Sequence, residues 1–173
     1  MGFWELLKNR NIEKKSKSND VLEKISQALP DASENEKIII ACLAGLMARV
    51  AYVDFHYSND ELHSMQQIIT TLTGLNDLQA QTVISIASQQ IKELAGLDHH
   101  IYAHTLSELM SEQQRYGVLE ALFYIAGSDD CVMENESEEI RLITKGLNLT
   151  SKHFLSARAT VWKKIKALNI NKF

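Results

Sequence analysis

The chain has 173 residues, of which 45% are apolar, with one proline, seven glycines and two cysteines. This length suits one domain, or one domain with a tail, and allows a substantial buried core. Few turn formers and no alternating run of strand length favour an all-helical protein. The two cysteines, Cys42 and Cys131, indicate no disulfide framework and suit a reducing compartment. Neither a membrane span nor a secretory signal is recognisable, so the sequence predicts a cytoplasmic protein.

The net charge of −4 conceals a strong segregation along the chain. Residues 1–17 carry five bases and two acids, residues 18–139 carry 20 acids and five bases, and residues 140–173 carry eight bases and no acid. This asymmetry predicts either a partner that recognises charge or a basic last helix that neutralises an acidic body. The acidic body would repel phosphates, so nucleic acid is not expected as a partner.

Residues 1–19 are predicted to form an N-terminal arm and polar linker, and residues 20–173 a helical domain. The arm begins with an apolar patch ahead of two bases, Lys8 and Arg10. Such a patch predicts peripheral contact with a membrane surface, or else a packed or disordered arm. The patch consists of Phe3, Trp4, Leu6 and Leu7.

The first predicted helices are set by proline, glycine and capping residues. A helix from about residue 21 ends at Leu29, because Pro30 disfavours helical geometry in the residue before it. Ser33 and Glu36 form a capping-box pattern that opens a strongly apolar helix reaching Val50. A second pattern, Ser58 with Glu61, opens the next helix, which Gly74 ends.

Five further helices follow. Asn76 caps a helix ending near Gly96, Asp98 begins a shorter one, and Ser111 opens a second long apolar helix. A helix then runs to residue 145, and Thr150 or Ser151 caps the last. We expect a compact bundle of seven to eight helices. Its predicted core is Leu43, Leu46, Met47, Val50, Leu119, Leu122, Phe123 and Ile125.

A segment of the chain occurs twice at an offset of 75 residues. Residues 51–54 with Glu61 match residues 126–129 with Glu136, since both have the pattern Ala-x-x-Asp-(x)6-Glu. Such a match predicts a helix–turn–helix unit used twice, at 41–73 and 116–148, with pseudo-twofold symmetry. The match extends through Tyr57 and Val132, Met65 and Ile140, Ile68 and Ile143, and Leu72 and Leu147.

The repeated acids are the candidate site. Glu61 has a structural explanation as the capping partner of Ser58, but the position matching Ser58 is Met133, whose side chain cannot cap. Each aspartate follows a long helix, where a negative charge gains nothing from the helix dipole. Carboxylates in such a turn predict a divalent cation, Ca2+ or Mg2+, with solvated caps and turn residues as the alternative. The predicted ligands are Asp54, Glu61, Asp129 and Glu136.

Histidines offer a weaker metal hypothesis. His100 and His104 lie four residues apart on one helical face, as zinc ligands can, but no third ligand is evident. A polar helix face is the alternative. His56 and His63 flank the first acidic turn and are candidates for additional ligands.

Signatures of enzymes are absent from the sequence. There is no glycine-rich phosphate loop, no Gly-x-Ser-x-Gly elbow and no correctly placed Glu-x-x-His pair for a di-metal centre. The sequence therefore predicts a protein without catalytic activity, with a metal-dependent hydrolase as the remaining alternative, whose carboxylate-bridged metal centre would use the four repeated acids.

The paired Ala-x-x-Asp-(x)6-Glu turns, each between an apolar and an amphipathic helix, resemble the tellurite-resistance TerB-like family over residues 20–150. A related N-terminal domain of a membrane-anchored DnaJ-type co-chaperone shares this resemblance. The resemblance implies about seven helices, cation binding at the acidic positions and a stress or envelope-associated role. It leaves a metal-free, co-chaperone-like scaffold for protein partners as the alternative. The family usually has glycine after each aspartate, whereas this chain has Phe55 and Asp130, so we expect no tight glycine-type turn at Phe55.

Overall fold

The computed structural model describes residues 22–93, 99–128 and 132–170, and all regular structure in these ranges is helical. The predicted all-α bundle is therefore confirmed. Eight helices are described: α1 (22–28), α2 (Glu34–Ala51), α3 (Asn59–Thr73), α4 (Asp77–Glu93), α5 (His99–Leu109), α6 (Glu112–Ala126), α7 (Glu134–Gly146) and α8 (Ser151–Ile170).

Helix starts follow the predicted capping residues. The hydroxyls of Ser33, Ser58 and Ser111 each accept a hydrogen bond from the amide three residues later, and the side chain at that third residue returns the bond. Asn76 caps α4 in the same way, since its Oδ1 accepts from the Gln79 amide at 2.9 Å. These bonds satisfy amides that have no partner within the helix.

The core is centred on α2, which packs against α3, α4, α5, α6 and α7. Every residue of α2 from Ile40 to Ala48 is buried, so this helix is enclosed on all sides. The eight predicted core residues of α2 and α6 are all at most 1% exposed, which confirms that prediction. Phe123 of α6 also meets Phe154 of α8 edge to face, with ring centroids 5.1 Å apart.

The helices on either side of the two acidic turns end and begin at positions 75 residues apart, as in the sequence match. The first turn separates Ala51 from Asn59, and the second separates Ala126 from Glu134, each pair 75 residues apart. This agreement is in keeping with the predicted duplication, whose superposition in three dimensions stays a prediction.

Backbone angles at the turn borders also agree. Tyr52 and Gly127, which follow the first helix of each unit, have φ and ψ of −100° and 12°, and −95° and 9°. Ser58 and Met133, which precede the second helix, have −76° and 156°, and −71° and 157°. The C-terminal ends of the two units differ, because Leu147 is fully buried whereas the matching Leu72 is 47% exposed.

Two expectations concern a membrane. None of the described helices has the length and hydropathy required to cross a bilayer. The predicted arm, with its apolar patch at Phe3, Trp4, Leu6 and Leu7, lies outside the described residues, so peripheral contact stays a prediction.

Candidate functional site

The first acidic turn leaves α2 with an exposed carboxylate. Asp54 is exposed, and its Oδ1 accepts a hydrogen bond from the His56 amide at 3.0 Å. The Phe55 amide donates to the Tyr52 carbonyl at 2.9 Å, which closes the turn. An aspartate that bonds the amide two residues later is a local turn element. The Asp54 carboxylate therefore faces solvent in a position fixed by its own backbone.

Phe55 occupies the glycine-like position of this turn. Its φ is +66°, in the left-handed region that bulky residues rarely adopt. The expectation that Phe55 would prevent a tight glycine-type turn is therefore wrong. The surrounding turn imposes the conformation, and the side chain tolerates it by projecting outward, with 75% of its surface exposed.

Glu61 is buried at the start of α3, with only 7% of its surface exposed. Its Oε2 accepts from the Ser58 amide at 2.7 Å, and its own amide donates to Ser58 Oγ at 3.1 Å. This is a complete capping box. The carboxylate thus has a structural role whether or not it binds a ligand.

Glu136 makes the corresponding contact at the start of α7. It is 6% exposed, and its Oε2 accepts from the Met133 amide at 2.7 Å. Its own amide donates to Asn135 Oδ1 at 3.1 Å, because Met133 supplies no acceptor. As predicted, the Met133 side chain forms no cap, but the Glu136 carboxylate still has a structural role because it accepts from the main chain.

The predicted metal ligands differ in their exposure to solvent. Asp54 is exposed and Glu61 is buried, while Asp129 lies outside the described residues. Within residues 22–93, 99–128 and 132–170, no group of three or more His, Cys, Asp or Glu side chains is placed to hold a metal ion. The cation site at Asp54, Glu61, Asp129 and Glu136 stays a prediction.

The histidine hypothesis fares similarly. His100 and His104 both line a cleft between α5 and the end of α7, together with Lys145. His104 Nε2 lies 3.5 Å from Glu108 Oε1, an exposed pair on one helix. Exposed pairs of this kind contribute little stability. These contacts suit the alternative of a polar helix face, and the histidine metal site stays a prediction.

A partly buried ion pair lies between the two repeated units. Arg49 Nε, in the last turn of α2, donates to Glu139 Oε1 of α7 at 3.0 Å. Glu139 is 7% exposed, so this contact offsets part of the cost of burying its charge. Sequence reasoning missed the pair because its members are 90 residues apart. The one available signal was that Arg49 is a rare base within the acidic body.

A cleft of about 780 Å3 lies beside the first acidic turn, between the turn, α3 and α4. Three aromatic rings line one end. Tyr52 stacks on Tyr57 with centroids 4.8 Å apart, and the Phe55 ring meets Tyr52 edge on at 5.9 Å. The Tyr57 hydroxyl donates to the Ala48 carbonyl at 3.0 Å, and burial raises the pKa of Tyr57. His56 and His63 also line this cleft, which sequence reasoning did not find.

A family model described as Tellurite resistance protein TerB matches residues 40–159. No curated protein and no solved structure shows significant similarity to the chain. The matched span is more than half of the chain and includes both acidic turns and all helices from α3 to α7. By this match, together with the helical architecture, the chain belongs to the TerB family.

Proposed function

We propose that this chain is a non-enzymatic binding module whose acidic turns contact a basic protein partner. The exposed Asp54 carboxylate, held by the His56 amide beside an open cleft, carries this proposal. Asp60, the second residue of α3, is also exposed, so a second carboxylate lies six residues after Asp54. Exposed carboxylates beside a cleft attract a basic partner and orient its approach. A stress or envelope-associated role for the module is suggested by family membership.

Affinity capture with matched variants tests the partner. Asp54→Asn with Asp60→Asn removes two exposed charges at the turn, and Glu34→Gln with Glu108→Gln removes two exposed charges on other helices. We expect one basic protein to bind the unchanged chain and the control, and to be lost from the turn variant. Its binding should also weaken with salt. Equal retention by all three proteins would contradict the proposal.

A divalent cation at Asp54, Glu61, Asp129 and Glu136 is the second candidate. The burial of Glu61 and Glu136 at matching positions favours it, because one carboxylate then lies at the same place beside each turn. Each is already bonded to one main-chain amide, so a cation would add to the cap. Ca2+ and Mg2+ suit such oxygen ligands.

Thermal melts separate the two candidates. If a cation binds the folded chain, millimolar Ca2+, Mg2+, Mn2+ or Zn2+ raises the Tm in a concentration-dependent way. Asp129→Asn with Glu136→Gln should abolish this rise while leaving an oxygen to accept from the Met133 amide. A Tm that stays flat with all four cations would exclude the cation and leave the partner.

A further inference from the structure

The cleft beside the first turn has the composition of a peptide-docking site. Its aromatic end consists of Tyr52, Phe55 and Tyr57, and its remaining lining is mainly amide and hydroxyl side chains. Ser88 lines it as well, is 8% exposed and lies near the Tyr57 hydroxyl, yet its Oγ forms no hydrogen bond of ordinary geometry. A bound polar group would give this buried hydroxyl a regular hydrogen bond.

Phe55 gives a second indication that something covers the cleft. A left-handed backbone is unfavourable for a residue with a Cβ, because the Cβ approaches the following carbonyl oxygen. The Phe55 ring recovers little of this by packing, since it is 75% exposed and touches Tyr52 only edge on. An exposed aromatic ring on a strained turn is an observed outlier of the kind that concentrates at binding sites.

The chemistry of the rim specifies the occupant. Lysine and arginine are absent from the described lining, and the exposed acids Asp54 and Asp60 lie at the turn and the start of α3. Gln81 and Ser85, both exposed on α4, can bond to a peptide backbone. A fitting occupant therefore has aromatic or aliphatic anchors followed directly by basic residues.

We propose that the N-terminal segment of this same chain, residues 3–10, docks in the cleft. It supplies an apolar patch of Phe3, Trp4, Leu6 and Leu7, followed by the bases Lys8 and Arg10. Eleven residues separate Arg10 from the first described residue of α1, and they span up to about 36–40 Å when extended. A domain of this size has a diameter of about 40 Å, so the extended tether is about as long as the domain is wide.

A tethered segment needs only a weak contact to be bound. Attachment to the chain gives it an effective concentration of about millimolar at the cleft. The apolar anchors would cover Phe55, and the bases would lie against Asp54 and Asp60. The segment and the proposed basic partner would use the same two carboxylates, so they would compete for the first turn.

Tryptophan fluorescence of the full chain tests this docking. The chain has two tryptophans, Trp4 and Trp162, so Trp162→Phe leaves Trp4 as the sole reporter. We expect blue-shifted Trp4 emission and several-fold protection from acrylamide relative to a free tryptophan amide. Both should be independent of protein concentration, because the contact lies within one chain.

Cleft variants in the Trp162→Phe background identify the docking surface. Phe55→Gly removes the ring while keeping a backbone that accepts positive φ, and Ser85→Arg blocks the cleft with bulk and positive charge. Each should shift Trp4 emission to the red and abolish its protection, with the helical circular dichroism unchanged. Leu155→Ala, at an exposed leucine of α8, is the control and should change neither.

Four outcomes would overturn the proposal. Trp4 would be quenched like a free tryptophan, or its protection would survive both cleft variants. Protection that grows with protein concentration would assign the segment to the cleft of a second copy. A blue shift that occurs only with anionic phospholipid vesicles would make the arm a membrane anchor instead.

Discussion

Replacing Met133 with serine tests whether the two acidic turns are built alike. Met133 precedes α7 with nearly the backbone angles that Ser58 has before α3, but the Met133 side chain forms no capping hydrogen bond. A serine hydroxyl there should accept from the Glu136 amide, as Ser58 Oγ does from the Glu61 amide at 3.1 Å. Met133 is 47% exposed, so its removal sacrifices little buried surface.

The expected gain in the free energy of unfolding is smaller than the contribution of a typical N-cap. Loss of a serine N-cap costs about 0.5–2 kcal/mol, but Asn135 already accepts from the Glu136 amide at 3.1 Å. We therefore expect Met133→Ser to raise the free energy of unfolding by about 0.5–1 kcal/mol and the Tm by about 1–4 °C. Ser58→Ala should lower the free energy by about 1 kcal/mol.

Urea and thermal unfolding of the three proteins provide the measurement. A loss of stability in Met133→Ser, or no loss in Ser58→Ala, would refute the equivalence of the two helix starts. An unchanged urea m-value is required, because it shows that the variants differ in stability and not in the surface exposed on unfolding.

Other predictions concern packing and ionisation. Phe123→Ala should cost about 3–5 kcal/mol in urea unfolding, since this side chain is 1% exposed; a loss below about 1 kcal/mol would contradict its burial in the core. Gly146→Ala would place a Cβ 2.7 Å from the Ala103 Cβ and should lower the Tm, whereas Gly117→Ala meets no atom within 4 Å and should stabilise α6 by about 0.5–1 kcal/mol. If both glycine variants changed stability alike, the close approach of α5 and α7 would be wrong. Burial, with a smaller effect of nearby Cys42, raises the pKa of Tyr102 to about 12. Between about pH 10 and pH 12 this tyrosine ionises in the unfolded chain but not in the folded one, so its contribution to the free energy of unfolding is complete below pH 10 and is lost as the pH rises to 12. Ultraviolet titration of phenolate absorbance should show this delayed ionisation, and a single transition near pH 10 for every tyrosine would contradict it.

Much of the fold followed from local signals in the sequence. The hydroxyl and carboxylate spacing at Ser33, Ser58 and Ser111 predicted three helix starts, because these bonds form within one turn of chain. The apolar periodicity of α2 and α6 likewise predicted the core, since the apolar face of each helix has to be buried.

The site was less predictable because it depends on backbone and long-range geometry. The left-handed Phe55 is imposed by the turn around it and not by its own preference. Glu136 bonds a backbone amide, which every residue type but proline provides, so the identity of Met133 gave no sign of it. The Arg49–Glu139 pair and the aromatic cleft join distant parts of the chain, which no local pattern shows.

The central claim is that the acidic turns are the binding site, and residue-resolved NMR tests it most directly. Uniformly 15N-labelled full chain would be titrated separately with Ca2+, Mg2+ and a hexalysine peptide. We predict that at least one of these ligands shifts amides concentrated at residues 52–61 and 128–136, and that Asp54→Asn with Asp60→Asn weakens the response in the first range. Shifts spread evenly over the acidic surface, or no shift with any of the three ligands, would contradict the claim.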